Sequence, residues 1–278
     1  MSTPKKPNLR IALVQCSLFD LDPQANLQAI ANELAQLSGQ IDLAVLPEAC
    51  LTGFSEEAMN KGEVWHESEA IGELQRLAKH HNLAIACSVF IRHEDKYANR
   101  FLLIEEHSIQ WQDKRHLFRM GGEARQLTPA SERKLISFKG WNILPIICYD
   151  LRFPVWCRCK QNDYDIAICV ANWPKGRRLV WSTLLQARAM ENLCYTIGVN
   201  RVGTDMSGLS YTGDSALISP RGEVLASCTP SETQTSIYEI SYAPLEDLRQ
   251  KFPVWLDADD LPYPKHSIYN IYCFIEST

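Results

Sequence analysis

The sequence predicts an α/β protein, and three observations carry that prediction. Apolar runs of strand length alternate with segments whose apolar residues recur every three or four positions, the rhythm of a sheet covered by helices. The strand-length runs stop abruptly at proline or at polar residues, as buried strands do when they feed turns. The chain has 278 residues, 46% of them hydrophobic and 22% charged, enough to bury a large core with an ordinary globular composition.

Residues 9–14 alternate as a strand. Asp20-Leu21-Asp22-Pro23 then supplies a cap residue and a proline for the first helical position, and Leu27, Ile30, Leu34 and Leu37 give the following helix one apolar face. Ser38-Gly39-Gln40 ends that helix, residues 41–46 form the next strand, and Pro47 stops it one residue before Glu48. Ile71, Leu74, Leu77 and Ala78 mark a helix over residues 69–81, followed by a buried strand over 83–89. Residues 101–104 and 109–111 pair as a hairpin through the polar stretch 105–108, and Lys114 stands just past it. Residues 118–134, with Gly121-Gly122 and scattered charge, read as a long loop, a candidate wall of a site that contains Glu123.

Residues 143–147 form an apolar strand that ends at Cys148. Residues 165–170 form another, ending at Ala171-Asn172-Trp173-Pro174, which places Trp173 at a strand end and so on a pocket wall. Residues 179–192 have helical spacing, with Arg188 and Glu191 as a structural pair three apart. Strands at 195–199, 215–218 and 236–240 continue the pattern, residues 253–264 are irregular, and 268–275 make a β-prone tail docked on its own domain or on a second subunit. With no repeat and no linker, the chain reads as a single domain over 1–278, its core at about 8–245 and its tail at 246–278.

A net charge of −5 leaves no electrostatic footprint for nucleic acid. Residues 1–7 are not followed by a secretory apolar block, and no run approaches the ~18 apolar residues of a bilayer span, so the expectation is a cytoplasmic protein without membrane contact. The ten cysteines are scattered without a C-x-x-C pair, and Cys157 and Cys159 are too close for ordinary disulfide geometry. They read as small core hydrophobes in a reducing compartment, with no structural metal set.

Glu48, Lys114 and Cys148 each stand at the end of a strand, where α/β proteins place their ligand crevice. Together they supply what thiol acyl transfer needs: a nucleophile, a base for its proton, and a cation where charge develops on the carbonyl oxygen. A nearby ammonium and a helix N-terminus after the turn are expected to raise the thiolate fraction of Cys148. No histidine is required, and His116 reads equally well as a surface residue.

Leu46-Pro47-Glu48, Asp113-Lys114-Arg115-His116-Leu117-Phe118 and Cys148-Tyr149-Asp150-Leu151-Arg152-Phe153-Pro154 resemble, in order and spacing, the three catalytic motifs of the nitrilase superfamily. Val170-Ala171-Asn172-Trp173-Pro174, Ala187-Arg188-Ala189-Met190-Glu191-Asn192 and Asn200-Arg201-Val202-Gly203 are similar to its omega-amidase branch. The resemblance runs to about Asp260, and the residues beyond it lie outside the family pattern. It implies a four-layer αββα sandwich that pairs into an eight-layer αββα–αββα homodimer or a higher homo-oligomer, without metal or organic cofactor. It implies Glu48 as base, Lys114 as cation, Cys148 as nucleophile, and Glu123 as a second glutamate supporting the lysine. The implied activity is hydrolysis of the terminal amide of 2-oxoglutaramate and 2-oxosuccinamate, with the oxyanion held by Lys114 and the backbone N–H of Tyr149. A substrate carboxylate then needs a cation, for which Arg177 is the first choice and Arg201 the second. The same triad in this superfamily also cleaves nitriles, N-carbamoyl compounds and other small amides. A cysteine-based redox or binding protein on the same fold is the reading from another class, and Glu48 and Lys114 argue against it, since a redox cysteine needs a resolving thiol rather than a carboxylate base.

Overall fold

The computed structural model describes residues 6–93 and 95–259. Strand β1 (Leu9–Gln15) sets the layering, because side chains alternate across a strand: Leu9, Ile11 and Leu13 enter one core while Ala12 and Val14 enter another. Its neighbour is reached through helix α1 (Pro23–Leu37), which starts where Asp22 Oδ1 accepts the Ala25 N–H at 3.0 Å and proline fills the first turn. Strand β2 (Leu43–Val45) repeats the division, with Leu43 and Val45 in the first core and Ala44 in the second. Both faces of the sheet are covered, hence the continuous apolar runs in the sequence.

A short helix α2 (Glu56–Asn60) and a two-residue strand β3 (Glu63–Val64) follow, neither announced by the sequence pattern. Helix α3 (Glu69–His81), capped by Ser68, then lays Ile71 and Leu74 beside Leu27, Ile30 and Leu34 of α1. Strands β4 (Ala84–His93), β5 (Lys96–Ile104) and β6 (Ile109–Asp113) are joined antiparallel, the last two by the expected hairpin. The loop at 118–134 contains a 3₁₀ turn (Arg119–Gly121) and a single helical turn α4 (Glu123–Gln126).

The second half builds a second sheet. Strands β7 (Ile136–Phe138) and β8 (Trp141–Ile147) precede a five-residue 3₁₀ turn (Cys148–Arg152) and the short helix α5 (Pro154–Cys157). Strand β9 (Ile166–Ala171), helix α6 (Arg178–Asn192) and strand β10 (Tyr195–Asn200) form the parallel centre. A small separate hairpin, β11 (Val202–Thr204) and β12 (Ser210–Thr212), leads to β13 (Ala216–Ile218) and β14 (Val224–Ser227). Strand β15 (Gln234–Ile240) returns to pair antiparallel with β1, and helix α7 (Tyr242–Lys251) follows. The sheet orders are β15-β1-β2-β4-β5-β6, with β3 beside β4, and β14-β13-β10-β9-β8-β7.

Ile143, Ile147, Ile166, Ile168 and Val170 meet Leu13, Val45 and Phe101 in one core between the sheets. The opposite face of the second sheet packs Leu144, Ile146, Ala167 and Cys169 on Trp181, Leu185 and Ala189 of α6. The architecture is thus the αββα sandwich. Helix α7 runs across the expected core boundary at about 245 to Lys251: Leu245 and Leu248 are buried, and Arg249 pairs with Asp165 at 2.9 Å. The expected irregular stretch holds a 3₁₀ turn (Val254–Asp257), and the expected docked tail at 268–275 lies outside the described residues.

The buried thiols give this fold a pH limit. Burial pushes Cys157 and Cys159 up to about 12 and Cys194 and Cys228 up to about 11. A thiol with a higher pKa in the folded chain contributes its full stability below the unfolded value near 8.5. Above that, the unfolded chain sheds protons that the folded chain keeps, and each thiol removes about 1.4 kcal/mol per pH unit. Urea titrations in reducing buffer are expected to show the midpoint collapsing between about pH 9 and 11, and a midpoint unchanged from pH 8 to 10 would contradict this account.

Candidate active site

Glu48 follows β2, Lys114 follows β6 and Cys148 follows β8, so the first sheet supplies the carboxylate and the ammonium while the second supplies the thiol. The sheets are mixed rather than wholly parallel. The strand ends still converge because β2, β4 and β6 run in one direction, with β5 the antiparallel member between the last two. The joint between the sheets is closed by Asn172, just past β9: its backbone N–H donates to Glu48 Oε2 at 2.8 Å and its Nδ2 to the Glu48 carbonyl at 2.6 Å.

Lys114 Nζ lies 2.9 Å from Glu48 Oε1 and 2.8 Å from Glu123 Oε1, and all three side chains are buried. Charges so placed persist only if each is paired and hydrogen-bonded. Asn99, a lone asparagine inside the apolar strand β5, provides the remaining donor, from Nδ2 to Glu48 Oε1 at 2.8 Å. The Phe118 N–H holds Glu123 Oε2 at 2.6 Å. Glu123 reaches the lysine because Gly122 turns the chain at φ +85°, a left-handed conformation suited to glycine. Burial alone would lower the Lys114 ammonium, but Glu123 and Glu48 outweigh it and hold the pKa well above its ordinary value. Burial raises the Glu123 carboxyl, against the pull of Lys114.

Cys148 sits at φ +45°, a left-handed conformation that costs a non-glycine residue about 1–2 kcal/mol. The sharp bend from strand to 3₁₀ turn presents its Sγ to the cavity, 3.9 Å from the Asn172 carbonyl. The expected enrichment in thiolate is corrected here. Burial first, then the Glu48 and Glu123 carboxylates, push the thiol well above its usual range against the opposing pull of Lys114. Burial and the two carboxylates therefore favour the neutral thiol over the thiolate at this position.

These groups line a cavity of about 260 Å³ whose walls are largely aromatic, among them Phe54, Phe118, Tyr149, Trp173 and Tyr211. Tyr149 and Trp173 thus lie where the sequence placed them. Trp173 is fixed by Asn200 Oδ1, which accepts its backbone N–H at 2.7 Å, and by its own Nε1 donating to the Arg177 carbonyl at 2.9 Å. Arg177 reaches the cavity from an exposed rim position. Arg152, which the sequence reading left without a role, is half-buried on the turn that carries Cys148, with its guanidinium 5.0 Å from the Trp173 ring. Among the described residues neither arginine is paired with a carboxylate. Arg201 is the misplaced candidate. It is buried outside the cavity lining, its Nη1 3.0 Å from Asp20 Oδ1 and its Nη2 donating to the Leu18 carbonyl. Its charge is already neutralised, and it backs the Tyr211 ring at 4.9 Å. Among the described residues no group of His, Cys, Asp or Glu is arranged to hold a metal ion, and no helix is long and apolar enough to cross a membrane.

Residues 10–250 match the sequence profile of the carbon-nitrogen hydrolase family. The chain is 42% identical over 255 residues to omega-amidase YafV of Escherichia coli, covering 91% of this chain and 98% of that protein. It is 31% identical over 253 residues to 2-oxoglutaramate amidase of Bacillus subtilis, covering 88% and 96%. The crystal structure of XC1258 from Xanthomonas campestris, a CN-hydrolase superfamily protein with an arsenic adduct in its active site, superposes with a TM-score of 0.90 at 40% identity, covering 93% of this chain and 100% of that one.

Proposed function

The chain belongs to the carbon-nitrogen hydrolase family and is an enzyme acting on carbon–nitrogen bonds, and on that premise we propose that it hydrolyses the terminal amide of 2-oxoglutaramate and 2-oxosuccinamate to the 2-oxo acid and ammonia. The observation that carries this reading is the pairing of a buried Glu48–Lys114 ion pair beside Cys148 with two arginines, Arg152 and Arg177, that have no carboxylate partner among the described residues in the same cavity. A half-buried guanidinium without a counter-ion is costly, and an anionic ligand supplies what it lacks. The similarity to omega-amidase YafV supports the same substrate class.

In the proposed mechanism Glu48 takes the Cys148 proton as the sulfur attacks the amide carbon. The oxyanion is held by Lys114 and the backbone N–H of Tyr149. Glu48 returns the proton to the departing nitrogen, the C–N bond breaks, and ammonia leaves a thioester. Water attacks that thioester with Glu48 again as base, releasing the acid and restoring the thiol. A thiol held neutral suits this scheme, because its proton moves only as the carbonyl arrives. Glu123 keeps Lys114 charged and in place. The proposal includes pairing of two four-layer subunits into the eight-layer homodimer that the family resemblance implies.

The test is ammonia release from 2-oxoglutaramate beside a nitrile, an N-carbamoyl amino acid and an uncharged amide of equal length. Preference for the oxo-amide supports the reading, and preference for any of the others replaces it. Arg152→Gln is expected to raise KM for 2-oxoglutaramate by about 10–100-fold, the worth of a charge-assisted hydrogen bond. Arg177→Gln, on the exposed rim, is expected to raise it only about 2–5-fold and in a salt-dependent way. Equal sensitivity of the uncharged amide to Arg152→Gln would remove the carboxylate role.

A further inference from the structure

Asp150 lies two residues past the nucleophile and is buried, and the reaction scheme above leaves it unused. Its carboxylate is surrounded by donors from two different strand ends. Oδ1 accepts the His116 backbone N–H at 2.7 Å and lies 2.8 Å from His116 Nδ1, which must carry the proton because an ionised carboxylate only accepts. Oδ2 accepts the Arg115 N–H at 3.3 Å and the Ile147 N–H at 3.4 Å. Arg115 and His116 are the residues immediately after Lys114, and Ile147 is the residue immediately before Cys148. One carboxylate therefore fastens the chain that carries the ammonium to the chain that carries the sulfur, across the joint between the sheets.

The surroundings make this fastening stiff. The His116 ring stacks on Phe153 at 3.7 Å with the planes 5° apart, and Phe153 follows the turn that begins at Cys148. From the other side Arg188 of α6 donates from Nη2 to the Leu151 carbonyl at 2.7 Å and from Nε at 3.1 Å, so the turn cannot swing away. Glu48 and Glu123 hold the Lys114 ammonium, and Asn172 ties Glu48 to the second sheet; Asp150 adds a separate tie, from the residues next to Lys114 to the residue next to Cys148.

We infer that Asp150, with His116, is a positioning residue that sets the spacing between the Lys114 ammonium and the Cys148 sulfur. The inference rests on the roles given above to Lys114 and Cys148. An isosteric Asp150→Asn change keeps the volume but turns an amide NH₂ toward one pair of the same N–H donors, which pushes the two strand ends apart. Misplacement of reacting groups by about 1 Å costs on the order of 100-fold in rate while leaving binding groups elsewhere untouched.

The experiment is steady-state hydrolysis of 2-oxoglutaramate by wild type and Asp150→Asn at a temperature where circular dichroism shows both fully folded. It is paired with the rate at which iodoacetamide alkylates Cys148, which does not depend on substrate identity. A fall in kcat of about 10–100-fold, with KM within about threefold and a slower alkylation rate, is the expected result. Loss of stability alone, with kcat within twofold, overturns the inference. Should Asp150→Asn fail to fold, His116→Leu, which removes one of the four donors, carries the test: kcat lower by about 3–10-fold supports the inference, and an unchanged kcat overturns it. Activity surviving in Cys148→Ala would instead bring down the reaction scheme itself.

Discussion

Cys148→Ala is expected to reduce ammonia release from 2-oxoglutaramate by on the order of 10⁴-fold or more. No neighbouring group replaces the sulfur: of the ionisable side chains beside it, Glu48 and Glu123 hold Lys114, and Lys114 is a cation that cannot attack. The fold should not change, because alanine fills the same left-handed position without adding atoms and, among the described residues, the thiol's hydrogen-bond contact with a backbone oxygen is the long one to Asn172. Coupled ammonia detection and a thermal melt on the same sample test both halves. A variant that melts like wild type and still turns over would mean that the sulfur is not the nucleophile.

Lys114→Met has the second largest expected effect, and here activity and stability fall together. Removing an oxyanion donor costs about 100- to 1,000-fold in turnover. Removing one partner of a buried ion cluster costs about 3–5 kcal/mol, because Glu48 and Glu123 are left facing each other without a cation, and a chain of this size then melts roughly 6–20 °C lower. The double change Lys114→Met with Glu123→Gln separates the two effects. Neutralising one carboxylate should restore part of the melting temperature and none of the turnover. If activity returns with stability, Lys114 serves the fold and not the reaction.

The sequence reading reached the strands and the long helices because each left a pattern in its own residues. Asp22-Pro23 marks the start of α1, and Ile71, Leu74 and Ala78 trace the buried face of α3. Helix α7 left no such trace: between Leu245 and the end of the helix only Leu248 is a buried apolar residue, and the next inward position is Arg249, whose head is absorbed by Asp165, 84 residues away in the chain. The fate of Arg201 was equally out of reach, since its partner Asp20 is separated from it by 181 positions. Glu48, Lys114 and Cys148 were legible because the end of a buried strand is a local signal. The thiol's protonation was misread for the opposite reason. It depends first on how deeply the sulfur is buried and then on how many carboxylates lie near it beside one ammonium, and both exist only in three dimensions.

The groups proposed to react, Glu48, Lys114 and Cys148, belong to two different sheets, and this gives the inter-sheet core a burden that the outer cores do not carry. Packed interiors answer a change of volume as solids do, by shifting their neighbours. A methylene added at Val45 or removed at Ile168 is expected to shift the two halves of the sandwich relative to each other as well as to cost stability. The layer between the sheets therefore works as a lock with two faces, and a substitution on one side is expected to cost least when the other side is changed to answer it. The layer beneath α1 and α3 touches one sheet only, so a change of volume there costs stability without acting on the spacing between the sheets directly.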